Sequence, residues 1–192
     1  AAFEGIYKTA AEGQGETIYI WGFPNNETER VAYGIGIPGG LSFLLHGDFS
    51  TPVTGLDQFP EADRPPVKIP FFSYHIMVGL GMLFILLTLY ASYEYWRGRI
   101  FDKRWLLWVF VFAVIGPYIT NQMGWIAAEV GRQPWIVYGE LRTPEGFSKI
   151  LQASHVLTSI IMFMIIYLLL FVLYIYVLNS KIQHGPVFAT TA

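Results

Sequence analysis

The sequence predicts an all-α membrane protein, three transmembrane helices of a larger helical bundle preceded by an irregular extramembranous segment. Composition points there first. Of 192 residues 54% are hydrophobic and only 14% charged, far from the average soluble domain. Length points there next: the uncharged stretches 71–93, 105–128 and 150–178 each exceed the roughly 20 apolar residues, at about 1.5 Å per residue, that a helix needs to cross a bilayer core. Aromatic residues supply 17% of the chain, with six Trp and twelve Tyr, as expected where helix ends meet the membrane interface.

Residues 1–70 differ in kind, with Gly and Pro throughout, nine acidic residues against four basic, and turn signals at Pro24-Asn25-Asn26 and Pro38-Gly39-Gly40. The runs ETIYIWGFP and GGLSFLLHG read equally as strands or membrane-surface segments, and periodicity does not decide between them. Three helices follow, at about 71–94, 105–128 and 150–178. Arg97, Arg99, Lys103 and Arg104 crowd the link between the first two, so the positive-inside rule places that link in the cytoplasm. Residues 1–70 and the loop 129–149 then lie outside, and the tail 179–192, with Lys181 and His184, lies in the cytoplasm. The start Ala1-Ala2-Phe3 has neither an initiator Met nor the basic, then apolar, pattern of a signal peptide, so the chain is expected to be part of a longer protein.

With no cysteine, thiolate haem ligation, c-type haem attachment, iron–sulfur clusters and disulfides are excluded, leaving His, Met, Glu or Tyr to hold any redox cofactor. A net charge of −2 without a basic stripe argues against a nucleic-acid partner. The chemistry concentrates in NQMGWIAAEVGRQPW. Glu129, a carboxylate at the end of an uncharged span, needs a partner, and Arg132 and a metal are the candidates. Asn121, Trp125 and Glu129 fall four apart on one helix face, a face for a flat, charged cofactor or for an interfacial Glu–Arg pair beside a belt Trp. Spacing leaves both open. In SYHIMVGLG, Met77 reads alone as core packing. His75 lies about 200° around the helix from it and cannot share its face. His155 reads as a helix-packing residue, and His46 and His184 as loop histidines.

Gly124-Trp125, Glu129 and Gly131-Arg132-Gln133-Pro134-Trp135 resemble the signature of subunit I of the cytochrome bd quinol oxidases, and Ser73 to Gly81 resembles that family's segment around a haem-ligating Met. The resemblance makes residues 1–70 a quinol-binding loop on the outer side and the three helices the last of nine. It implies Met77 as ligand of a low-spin haem b, with Gly81 one turn away permitting close approach of the macrocycle. It implies Glu129 as axial ligand of a high-spin haem, Trp125 beside the haems, and Arg132 balancing charge there. Some members carry Arg where this chain has His75. Ala1-Ala2-Phe3-Glu4 with Thr9 is similar to the start of the quinol loop, whose Glu corresponds to Glu4 and whose Lys would precede Ala1. A carboxylate there would take protons from quinol, whereas without the family Glu4 reads as a solvated loop residue.

By this resemblance Glu4, Trp125, Glu129 and Arg132 form the catalytic set of an electrogenic quinol:oxygen oxidoreductase. Its cofactors would be a low-spin haem b, a high-spin haem b, and a third haem that is haem d or a further haem b. Quinol would release protons outside, oxygen would be reduced to water with cytoplasmic protons, and charge would separate without a dedicated pump. Partners would be the remaining N-terminal helices of subunit I, subunit II, small single-helix subunits and lipid, in a bacterial or archaeal cytoplasmic membrane. A quinone-binding haem b subunit that passes electrons to a partner, and a cofactor-free scaffold, are the readings from other classes.

Overall fold

The computed structural model describes residues 1–148 and 150–185. It forms two units, residues 1–145 and 146–192. Three helices are long and apolar enough to cross a membrane, spanning Lys68–Trp96, Arg104–Gly131 and Ala153–His184, so the protein is the mostly helical, multi-pass membrane type its composition predicts.

In the first unit the N-terminal segment is not wholly irregular. A 3-10 turn at Ala2–Glu4 precedes strands β1 (Ile18–Asn25) and β2 (Arg30–Ile37), paired antiparallel with Ile18 opposite Ile37 and Asn25 opposite Arg30. ETIYIWGFP thus becomes a strand. The Asn25 side chain accepts a bond from the Glu27 N–H at 2.9 Å and Glu29 takes a positive φ of 49°, closing the hairpin where Asn-rich sequence favours a turn. The other ambiguous run becomes helix α1 (Gly40–His46). Ile6, Leu41 and Val53, with Ile18 against them, form one small core, and Tyr7, Leu56 and Val67 form another.

Helix α2 (Lys68–Trp96) carries Pro70 in its first turn, where a missing N–H costs nothing. It stops in a Schellman motif. Gly98 adopts φ 68°, its N–H donates to the Tyr95 carbonyl at 2.9 Å, and the Arg99 N–H reaches back to the Glu94 carbonyl at 2.9 Å. The next span comprises α3 (Arg104–Ala113) and α4 (Ile115–Gly131). Pro117 explains the interruption, since it has no N–H to return to the Ala113 carbonyl four residues back. Gly116, Thr120 and Gly124 recur every four residues along α4, and this small-residue stripe lets α2 approach. A Cβ at Gly116 would collide with the Phe84 ring, and one at Gly124 would stand 2.7 Å from the Met77 sulfur. Beyond α4, β3 (Trp135–Val137) pairs with β4 (Leu141–Arg142).

In the second unit α5 (Ala153–His184) runs past Leu178, where the apolar stretch ends. Asn179 to His184, expected in the tail, are helical, with Lys181 and His184 in the last turn complementing the negative end of the helix dipole. For the same reason His46, which ends α1, is a helix-terminal residue and not a loop histidine. Residues 186–192 of the expected tail lie outside the described residues.

Candidate functional site

Helices α2 and α4 frame a cavity of about 780 Å³ lined by Met77, Phe84, Pro117, Thr120, Asn121, Gln122, Gly124 and Trp125. Met77 enters because Gly124 opposite it has no side chain. On α4, Asn121 and Trp125 are one turn apart and line the same wall. Gly81, one turn beyond Met77, is open: among the described residues, no atom outside its own helix backbone lies within 4 Å of where a Cβ would stand.

Glu129, a further turn along α4, is not among the lining residues. It is ion-paired with Arg132, with side chains 39% and 48% exposed respectively, and its backbone carbonyl accepts a bond from the Gln133 amide at 3.1 Å. Arg132 instead lines a second cavity of about 390 Å³, together with Ala1 to Phe3, Phe59, Gln133, Trp135 and Tyr138. The structure thus brings Met77 and Trp125 together, pairs Glu129 with Arg132, and sets Arg132 beside the N-terminal turn. It does not bring Glu129 to the Met77 cavity.

That turn is wedged between the helices. Phe3 stacks on Tyr74 of α2 with ring centroids 5.5 Å apart, and its ring fills the space over Gly131, where a Cβ would stand 2.6 Å away. Glu4 points elsewhere and lines neither cavity. It is 8% exposed, and among the described residues its Oε2 has no hydrogen-bond partner. Burial pushes its pKa above the ordinary 4.5, opposed by positive charge at His75 and at the chain's amino group, with the Tyr74 hydroxyl alongside. A solvated loop carboxylate does not look like this.

Several partners gave no local signal in the sequence. His75, 7% exposed, contacts the Phe71 carbonyl through Nδ1 at 2.8 Å and the Tyr19 carbonyl through Nε2 at 2.9 Å. Arg142 pairs with Asp63 across 79 residues and lies 4.8 Å over the Trp135 ring, whose buried Nε1 has no partner among the described residues. Only the His75 geometry was foreshadowed, by its angular separation from Met77.

Among the described residues no group of three or more His, Cys, Asp or Glu could enclose a bare metal ion. A haem asks less of a protein, an axial ligand and an apolar slot. The Met77 cavity fits that requirement, being within the roughly 300–1,000 Å³ of small-molecule sites and mainly apolar, with a thioether on its wall. At Glu129 the carboxylate is a competent hard ligand already engaged by a cation.

Comparison with known proteins places this architecture. The family model for cytochrome bd terminal oxidase subunit I matches residues 1–186. Cytochrome bd ubiquinol oxidase subunit 1 of Bacillus subtilis is 30% identical over 194 residues, covering 96% of this chain and 41% of its own length. Cytochrome bd-II ubiquinol oxidase subunit 1 of Escherichia coli is 34% identical over 122 residues, 64% of this chain and 24% of its own. The structure of the bd oxidase from Geobacillus thermodenitrificans superposes with a TM-score of 0.68 at 33% identity, covering 97% of this chain and 41% of that one. The chain therefore spans about 41% of the length of the Bacillus relative, and with a matching sequence model and fold it belongs to the cytochrome bd terminal oxidase subunit I family.

Proposed function

We propose that this chain works within a haem-containing quinol:oxygen oxidoreductase of a bacterial or archaeal cytoplasmic membrane, together with the remaining helices of subunit I, subunit II and small single-helix subunits. The observation that carries the reading is the shared cavity of Met77 and Trp125 between α2 and α4. Met77 holds a low-spin haem b there by its sulfur, Gly124 keeps the thioether unobstructed, and Gly81 leaves room for a planar group. Glu129 would ligate a high-spin haem, with Arg132 balancing its charge and Trp125 beside the haems. The third haem is haem d or another haem b. When bound, these groups relay electrons from quinol to oxygen. What the chain's own residues contribute is orientation, charge balance and proton handling: the buried Glu4 carboxylate takes protons from quinol on the outer side, and its raised pKa makes it a better acceptor. Protons leave outside while oxygen draws protons from the cytoplasm, which separates charge without a pump.

Family membership and the three spans support this reading. An optical spectrum of the purified complex tests it. Low-spin haem b bands together with a red-shifted, chlorin-like or second high-spin component are expected, and with them quinol-dependent oxygen uptake. Low-spin haem b alone would indicate a subunit that hands electrons to a partner, and no haem bands would indicate a scaffold.

A further inference from the structure

We propose that Phe3 is a positioning residue for Glu4: its ring, seated between Tyr74 of α2 and the bare backbone of Gly131 at the end of α4, holds the turn that buries the Glu4 carboxylate. The proposal rests on the reading of Glu4 as the quinol-side acid only for its link to turnover.

The seat is made by a missing side chain. Gly131 is the last residue of α4 and has no positive φ, so the backbone there does not call for glycine. The space does. A Cβ at Gly131 would stand 2.6 Å from Cε1 and 2.8 Å from Cζ of Phe3, well inside the roughly 3.5–4.0 Å of carbon–carbon contact. The same ring stacks on Tyr74 at 5.5 Å between centroids, with the planes 24° apart. A flat side chain gripped by two helices fixes the 3-10 turn Ala2–Glu4 that carries it.

The turn is held from its other end as well. Gly5 follows Glu4 with φ 67°, and a Cβ there would stand 2.7 Å from Cγ2 of Val31 in β2. The Ile6 and Glu4 N–H groups both donate back to the Ala1 carbonyl, at 3.0 and 3.2 Å. Glu4 lies between these anchors, buried, with the Tyr74 hydroxyl alongside. The ring that Phe3 stacks on therefore also faces the carboxylate. Gly131 adjoins Arg132, which holds Glu129, so one aromatic contact registers the buried acid against the helix end that carries the other carboxylate. Phe3 also lines the Arg132 cavity. A direct contact with quinol is thus the competing account of any loss of turnover.

The test uses the whole oxidase complex. Hydrogen exchange at the amides of residues 4–6 reads the turn, and kcat/KM for quinol reads its consequence. Phe3→Ala removes the wedge and Gly131→Ala displaces it, so each is expected to speed exchange about tenfold. Together they should do no more than Phe3→Ala alone, because both act on one contact. Unchanged exchange in Phe3→Ala, or effects that multiply in the double variant, overturns the proposal. Phe3→Ala is also expected to lower kcat/KM for quinol about tenfold or more, as a misplaced catalytic group does. In an E4Q background it should lower kcat/KM no further. A further loss there means that Phe3 meets quinol itself, and overturns the positioning role. Unchanged turnover in E4Q alone removes Glu4 from quinol chemistry, and the exchange measurement then decides the role of Phe3 by itself. Should Phe3→Ala fail to assemble, Phe3→Leu, which cannot stack on Tyr74, takes its place with the same expectations.

Discussion

Glu129 and Glu4 are both carboxylates near the ends of helices, and their surroundings assign them different consequences. Glu129 is half-exposed and held by Arg132. Under the proposed ligation, Glu129→Ala removes the iron ligand that α4 supplies and strands a cation, so one high-spin haem and oxygen turnover are expected to be lost. The low-spin haem, held from α2, should remain; absorption and magnetic circular dichroism spectra of the variant complex check both. Glu129→Gln should weaken ligation by removing the charge alone. Glu4 predicts a pH effect instead. Its folded pKa lies above the ordinary 4.5 because of burial, so the folded segment binds more protons than the open one between that value and the raised one. Local stability is therefore fullest below about pH 4.5 and falls as pH climbs through the window. Hydrogen exchange of the hairpin amides, corrected for intrinsic rate, should show protection declining across it, and E4Q should remove that share of the slope.

At the scale of the element, the packing of α2 on α4 depends on what Gly116 and Gly124 lack. In lipid the hydrophobic effect does not press helices together, so close van der Waals approach over small residues does that work. Gly116→Ala drives a methyl into the Phe84 ring and should cost about 1–3 kcal/mol as an overpacked contact, seen as a lowered thermal midpoint of the complex. The spans themselves were plain in the sequence, because apolar length is a one-dimensional property that no tertiary contact needs to reveal. The hairpin was not: Trp21, Gly22 and Pro24 interrupt any alternation in β1, and its strand character comes from pairing with residues 30–37. The Gly116, Thr120 and Gly124 stripe is visible in the sequence only once α2 is known to lie against it. For the site, motifs point to Met77, Trp125, Glu129, Arg132 and Glu4. How they divide between two cavities and a buried pocket is set by Gly124, Gly131 and the Tyr19–His75 bond, none of which has a local signature.

For the whole molecule, the proposed orientation puts residues 1–70 outside and the loop between α2 and α3 in the cytoplasm. These 192 residues contain no cysteine, so in a complex whose other cysteines are replaced, single Asp48→Cys and Arg99→Cys variants report from this segment. With an impermeant maleimide on intact cells, Asp48→Cys should label at once and Arg99→Cys only after permeabilisation. Labelling of both from one side would overturn the topology.

That loop also joins two moments in the life of the protein. Glu94, its side chain 4% exposed beneath the stems of its neighbours, pairs with Lys103 at 2.9 Å and Arg99 at 3.5 Å, while Lys103 also donates to the Tyr90 hydroxyl at 2.7 Å. During biosynthesis none of these pairs yet exists. The insertion machinery meets four cations in eight residues, and acidic neighbours count for little in its decision. After folding, the same Lys103 and Arg99 are committed to a carboxylate that would otherwise be covered and unpaired. Under the proposed orientation, one set of charges acts first as an address and later as a knot, and the two roles separate in Lys103→Met. Arg97 and Arg104 keep the address in both reporters, joined by Arg99 in Asp48→Cys, so both should label as in the parent chain, while the loosened knot should make residues 97–104 quicker to be cut by a protease added to the cytoplasmic face.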